Sequence, residues 1–369
     1  MNDNVFFLLL RIGIQSQDIG NLAELSILKN NQIDWNKVYN RAVEQGVAAL
    51  VWDGLIKLEQ AGLITKENLP NRIQKLNWIC NVDRIETTYH EQETAISELT
   101  KFYLDHNIQL MLLKGLGLSL LYPIPCHRAC GDIDIWLFGK QKIADELISR
   151  EKGIKVNQDK HQHTIFYWKG VMVENHFEFM HVHGHRSNIL LEEQLKRFAY
   201  KDYERITIGD TEMFIPSANF NALFLLRHAA SHFAAERIVI RHIIDWALFI
   251  KRYHHAIDWD TFISIVRYIN MDKFLNCINA ISIEYLGLDA SYIPEFTRDT
   301  MLEERVLNDI LDPEFNTTPP KNAVKMLLYK YRRWWNNRWK HKLVYREGLV
   351  ETLIVQIYSH LLKPKSLFH

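Results

Sequence analysis

The sequence predicts an α+β fold, a small mixed β-sheet flanked by N-terminal and C-terminal helical regions. Three observations predict it. Apolar residues recur at helical spacing up to about residue 107. From about 108 to 215 they gather into short runs separated by turns. After Ser217, which stands where a helix N-cap belongs, helical spacing returns. The expected division is 1–107 helical, 108–215 an α/β core and 216–369 helical.

Each element has its own signal. Val43, Val47, Leu50, Val51 and Leu55 read as one helical stripe, and Ile96, Leu99, Phe102 and Tyr103 as another. Gln109 to Leu113 reads as a strand, with Lys114-Gly115 at a turn and a short helix from Leu116 to Tyr122. Gly131-Asp132-Ile133-Asp134-Ile135-Trp136 reads as a buried strand. One longer helix interrupts the core near Lys140 to Arg150. Thr164 to Phe177 reads as a hairpin turning at Lys169-Gly170, and Tyr203 to Pro216 as another turning at Gly209-Asp210. Helices are expected on one side of the sheet. Pro319-Pro320 marks a boundary in the C-terminal region.

The chain of 369 residues is 47% hydrophobic and 24% charged, which permits a sizeable core. Its 44 basic and 44 acidic residues balance, so global steering toward nucleic acid is not indicated. The four cysteines are scattered in a chain too large to need staples, which suits a reduced, cytoplasmic setting. Cys126 and Cys130 flank His127 without a second Cys pair, so structural thiols are favoured over zinc ligands. The apolar run Val5 to Leu10 is too short for a signal peptide or a membrane span.

The chemistry is concentrated at Asp132 and Asp134. Residues two apart on a strand project from one face, at about 6 to 7 Å separation. Two such carboxylates repel unless a cation lies between them, so removing either is expected to relieve the fold. Magnesium takes hard oxygen ligands and leaves room for phosphate oxygens. Upstream, Lys114 offers a point charge for phosphate, and Gly115 lets the backbone approach a ligand at a helix N-terminus. Downstream, Glu174 and His176 share a strand face, and Glu174 is the natural third carboxylate. His176 reads equally as a phosphate or acceptor contact and as a partner of a metal-bound carboxylate.

This ordered set resembles the nucleotidyltransferase-fold superfamily. In detail it is similar to the bacterial uncharacterised nucleotidyltransferase family often linked to exopolysaccharide gene clusters. The family's pattern runs through Leu113-Lys114-Gly115, Tyr122-Pro123, Arg128, Gly131-Asp132-Ile133-Asp134, His163, Glu174 and His176, with Arg241 and Asp245 on a later helix. The likeness spans roughly residues 110 to 250. The superfamily's usual Gly-Ser pair is here Lys114-Gly115, with Ser119 four residues on. The resemblance implies NTP as substrate, two magnesium ions held by Asp132, Asp134 and Glu174, and nucleotide contacts from Lys114, Gly115, Gly131, Ser119, His176 and Arg241. It also implies that His163 faces the site.

Other clusters have blander readings beside the chemical ones. His181, His183 and His185 alternate as metal ligands on a strand can, but a polar loop is favoured. His228 and His232 share a helix face without the zincin glutamate, so packing is favoured. Arg241 and Asp245 are spaced to pair with each other, or Arg241 contacts phosphate. The basic and aromatic stretch from Lys330 to Arg346 contains no acid. It suits an anionic membrane surface or stacking on single-stranded nucleic acid, or, the favoured reading, a helix whose tryptophans pack on the core while its bases stay wet.

The resulting reading is a metal-dependent transfer of NMP from an NTP to an unidentified hydroxyl acceptor, with release of pyrophosphate. The chain would be cytoplasmic or peripheral to the membrane. The alternatives are a non-catalytic nucleotide-binding protein on the same fold and a peripheral membrane component of a polysaccharide-related system.

Overall fold

The computed structural model describes residues 2–15, 28, 33–158, 162–182, 185–235, 237–315, 320 and 322–352. His161, His183 and Pro319 lie outside the described residues.

The N-terminal region holds α1 (Asn2–Ile14), α2 (Trp35–Glu44), α3 (Ala48–Gln60) and the long α4 (Arg72–Asp105). The stripe from Val43 to Leu55 is not one helix. It breaks at Gly46, which adopts φ +68°. That left-handed backbone costs glycine little and would strain other residues. Asn71 and Gln74 form a reciprocal capping box that starts α4. The run Val5 to Leu10 is fully buried inside α1.

The sheet contains β1 (Met111–Leu112), β2 (Ile133–Trp136), β3 (His163–Trp168), β4 (Val171–His176), β5 (Tyr203–Ile208) and β6 (Thr211–Pro216). Their spatial order is β3-β4-β2-β1-β6-β5. β2 pairs β4 and β1 pairs β6 in parallel, and the other pairings are antiparallel, so the sheet is mixed. Both expected hairpins form, with Gly170 and Gly209 at positive φ in their turns.

Alternation divides the two sheet faces. Leu112, Ile133, Ile135, Phe166, Val173 and Met213 pack with Ile96, Leu99 and Tyr103 of α4, and with Leu147 and Ile148 of α6 (Gln141–Lys152). Met111, Leu113 and Trp136 point the other way, into a second and larger core. Helices therefore cover both faces rather than one. The second face is partly covered by α7 (Arg186–Lys201), a helix beyond the single long one expected in the core. Its signal is present as Leu191, Leu195 and Ala199, all buried.

The C-terminal region is helical as expected: α8 (Ala218–Ala235), α9 (Ile240–Tyr253), α10 (Trp259–Tyr268), α11 (Asp272–Leu286), α12 (Thr300–Leu311), α13 (Ala323–Asn336) and α14 (Arg338–Val344). Ser217 precedes α8, and its hydroxyl accepts from the Phe220 amide at 3.4 Å. The larger core is continuous from α1 through α3 to α8, α9 and α11, so the two ends of the chain share it. Among the described residues, no helix is long and apolar enough to cross a membrane.

Candidate active site

Three carboxylates converge on the sheet face opposite α4 and α6. Ile133 and Ile135 bury on the α4 side, so alternation turns Asp134 to the other side, where it is 1% exposed. Asp132 stands just before β2. β4 lies parallel to β2 and sets Glu174 directly beside Asp134. One oxygen from each of Asp132, Asp134 and Glu174 lies within 4.8 Å of the others.

Basic groups surround these acids. β1 pairs with β2, and the Leu113 amide donates to the Asp134 carbonyl at 3.0 Å. That register brings Lys114 Nζ to 3.1 Å from Asp134 Oδ1. His176 Nε2 lies 3.0 Å from the same oxygen and 3.7 Å from Glu174 Oε2. His163, across the hairpin from His176, places Nε2 3.3 Å from Glu174 Oε1. Gly115 has φ +59°, and a Cβ there would lie 3.4 Å from the Asp132 carbonyl oxygen. Its freedom lets the Lys114 turn press against the Asp132 backbone.

The electrostatics follow from this packing. Burial works against the Asp134 charge, yet Lys114 and the His176 hydrogen bond hold its pKa down at about 2. Burial also opposes an imidazolium at His176, but hydrogen bonds to Asp134 and Glu174 raise it to about 9. Geometry agrees: His176 Nδ1 faces the Glu178 carbonyl at 3.1 Å, so both ring nitrogens meet acceptors. Asp132 is pushed up, first by burial and then by the Asp134 charge. The carboxylates therefore do not need a metal to offset all their repulsion, as Lys114 and His176 already serve as counter-ions for Asp134.

A metal still fits. The basic partners Lys114, His176 and His163 gather on Asp134 and Glu174, not on Asp132. Asp134 Oδ2 is buried and takes no hydrogen bond. An orphaned carboxylate oxygen beside two others is a donor set for a hard divalent ion. A second group, His163, Glu174 and His176, also has donor atoms within 4.8 Å of one another.

Residues 31–287 match the family described as uncharacterised nucleotidyltransferase. The chain belongs to that family. The match is wider than the span of the resemblance, running from just before α2 to just after α11. No curated protein matches the chain. One similar solved structure is an antigenic nucleotidyltransferase-like protein from Paracoccidioides brasiliensis. It is 14% identical with a TM-score of 0.32, and the alignment covers 48% of this chain and 87% of that one. Membership supports a general nucleotidyl-transfer role, with NTP as the implied substrate class.

Other residues of this family's pattern have structural work. Arg128 grips Asp245 with two parallel hydrogen bonds, Nε to Oδ1 and Nη2 to Oδ2, both 2.8 Å. Tyr122 donates to Asp245 Oδ1 at 2.7 Å. All three are buried. They tie the 122–128 segment to α9, and that segment leads directly into Asp132. Asp245 is thus paired with Arg128 and not with Arg241. Arg241 instead donates from Nη1 to the Ala129 carbonyl at 2.6 Å. Gln92 of α4 donates to the Gly131 carbonyl, and nothing in the sequence marks that contact.

Ser119 does not join the site. It is 0% exposed and donates to the Leu116 carbonyl at 2.6 Å, with the Tyr89 hydroxyl at 3.4 Å. The helix it belongs to, α5 (Leu116–Ser119), is a single turn. A single turn carries little of the dipole expected to attract an anion. Gly131 has open space around it, since a Cβ there would meet nothing within 4 Å.

The remaining histidines divide between packing and surface. His181 and His185 do not lie in a strand. His185 is stacked on Tyr345 at a ring separation of 3.6 Å. His228 and His232 pack against each other at 4.5 Å, and His242 joins them at 6.1 and 6.4 Å. The basic stretch divides between core and surface, and one of its bases is buried, not wet. Lys340 is fully buried against Asp309, and Trp339 packs edge-on to Phe233. Leu327, Leu328, Tyr331 and Trp335 of α13 are each more than half exposed.

Proposed function

We propose that this chain transfers a nucleotidyl group from an NTP to an acceptor hydroxyl. The observation that carries the proposal is the orphaned Asp134 oxygen, beside the carboxylates of Asp132 and Glu174. Two magnesium ions, when bound, supply the charge that stabilises the attacking and leaving oxygens of an in-line displacement. Asp132, Asp134 and Glu174 are the residues that would hold the ions. Burial opposes the Glu174 charge, but His176 and His163 keep it ionised, ready to take the acceptor proton. The acceptor oxygen bonds to the α-phosphorus, the bond to the bridging oxygen of the β-phosphate breaks, and pyrophosphate leaves.

His176 holds Asp134 and Glu174 in one orientation. Lys114, with the Gly115 turn, meets the β- and γ-phosphates once its tie to Asp134 is loosened. Gly131 leaves open room for the nucleotide, and Arg241 positions the loop that delivers it. The exopolysaccharide link implied by the resemblance makes sugar hydroxyls the first acceptors to screen. The test is incubation of the four NTPs with pooled acceptors and magnesium, read by mass spectrometry for an added NMP. NTP binding without any adduct or pyrophosphate would sink the enzymatic reading and favour the non-catalytic one.

Two substitutions probe the roles. Glu174→Gln is expected to slow transfer by roughly 10²-fold or more, the scale of a general base. An unchanged rate at saturating magnesium would remove Glu174 from the chemistry. Lys114→Ala is expected to weaken NTP binding by about 10- to 100-fold, the scale of one charge-assisted contact. NMP binding should change far less, and equal losses for both in calorimetric titration would show that Lys114 does not read the tail.

A second reading, attachment to an anionic membrane surface, rests on α13. Its exposed apolar side chains line one helix face, and Lys325 and Arg332 are also exposed. The full chain is expected to pellet with anionic vesicles several-fold more than with neutral ones, and Trp335→Glu to abolish the difference. Equal pelleting with both would refute it.

A further inference from the structure

We propose that Cys126, His127 and Glu86 form a second metal site, distinct in chemistry from the carboxylate cluster and suited to zinc. A short 3₁₀ turn, Pro125–His127, presents Cys126 and His127 to Glu86 of α4. One donor atom from each of the three lies within 4.8 Å of the others. Sequence spacing alone could not show this, because Glu86 lies some forty residues upstream and no second Cys pair is present.

The imidazole is aimed as a zinc ligand is aimed. His127 Nδ1 lies 2.8 Å from Asp53 Oδ2 of α3, and Nε2 lies 2.7 Å from Glu86 Oε1. A carboxylate on the outer nitrogen fixes the ring and leaves the inner one for the metal. His127 and Asp53 are largely buried, while the Glu86 side chain is 39% exposed, so solvent reaches the cluster. A thiolate, an imidazole and a carboxylate with an open fourth position make a zinc donor set. The all-oxygen cluster at Asp132 suits magnesium instead.

The proton balance is defined. Without metal, both His127 nitrogens face carboxylates, so the ring carries two protons and acts as a counter-ion. Burial raises the Cys126 thiol, with the Glu86 charge adding to it, so the sulfur is protonated. Zinc entering the site displaces the Nε2 proton and the thiol proton, and two protons are released. The ion replaces a salt link rather than filling a void, so the chain folds without it. It would clamp α3, α4 and the loop that runs on to Arg128 and Asp132.

The test uses the full chain after treatment with a chelator. Cobalt titration should give a near-ultraviolet sulfur-to-cobalt charge-transfer band that saturates at one equivalent and disappears when zinc is added. The carboxylate cluster holds no sulfur and cannot produce that band. Cys126→Ser should lose it and Cys130→Ser should keep it. Asp53→Asn should weaken cobalt binding by roughly 10- to 100-fold. On the wild-type chain, zinc should slow alkylation of Cys126 and leave exposed Cys80 as reactive as before, read by peptide mass spectrometry. A band that persists in Cys126→Ser would overturn the proposal. So would absence of the band in the wild-type chain, or Cys126 alkylation unchanged by zinc.

Discussion

Asp134→Asn will abolish transfer and weaken the fold, whereas Asp132→Asn will abolish transfer and leave the fold at least as stable. The two aspartates are alike in sequence and opposite in environment. Asp134 is 1% exposed and takes Lys114 at 3.1 Å and His176 at 3.0 Å. An amide there leaves a buried ammonium and an imidazolium without their shared counter-ion. Breaking a buried pair by removing one partner costs on the order of 3 kcal/mol. Asp132 is attracted by Lys114 but forms no ion pair within 4 Å among the described residues, and burial together with the Asp134 charge still penalises its ionised form. Neutralising it removes a repulsion. Thermal melts of both variants in EDTA decide the matter, because no metal then contributes. Equal midpoints for the two would overturn the assignment of Lys114 and His176 to Asp134.

Asp245→Ala is expected to destabilise the protein by about 3 to 5 kcal/mol, the range for an uncompensated buried charge. It strands the Arg128 guanidinium and the Tyr122 hydroxyl together. Replacing Arg128 and Asp245 together by Met and Leu should cost much less than the sum of the single losses, because no charge is left unpaired. The sign of the pH dependence is fixed. Burial opposes the Asp245 charge, but Arg128 holds its folded pKa below the unfolded value. The contribution is therefore present at neutral pH and is lost as pH falls through that lowered value. Denaturant unfolding of the single and double variants would check both statements. A single-variant loss under about 1 kcal/mol would mean that the pair contributes no more than a surface bridge.

The parts legible in the sequence are those written in local spacing. Asp132-Ile133-Asp134 and the Lys169-Gly170 hairpin each declare themselves within a few residues, and the sheet places Glu174 beside Asp134 as that reading requires. What was not legible depends on which residue comes to meet another across the chain. Arg241 and Asp245 have the spacing of a helical ion pair, yet Arg128 reaches Asp245 from 117 residues away. Ser119 sits beside the glycine turn in sequence, yet its hydroxyl turns inward to Leu116. The break at Gly46 is hidden from the sequence because apolar periodicity continues across it, while only the backbone angle changes. The helix α7 is masked by the dense run of histidines before it, although Leu191, Leu195 and Ala199 carry its period.

The shared core has a consequence for how the chain is made. Phe6, Phe7 and Leu9 leave the ribosome long before Tyr285, yet α1 packs against α11, which ends at Leu286. Phe7 meets Tyr285 at a ring separation of 4.7 Å. Among the described residues, α2 and α3 are the early helices that pack on α1, and one apolar flank waits for α11. Closing so long a loop is entropically slow, and the waiting surface is prone to aggregate. Chains halted after β6 would present that flank to chaperones, so ribosome-bound fragments ending near residue 216 should be captured by them while those extending past 286 are released.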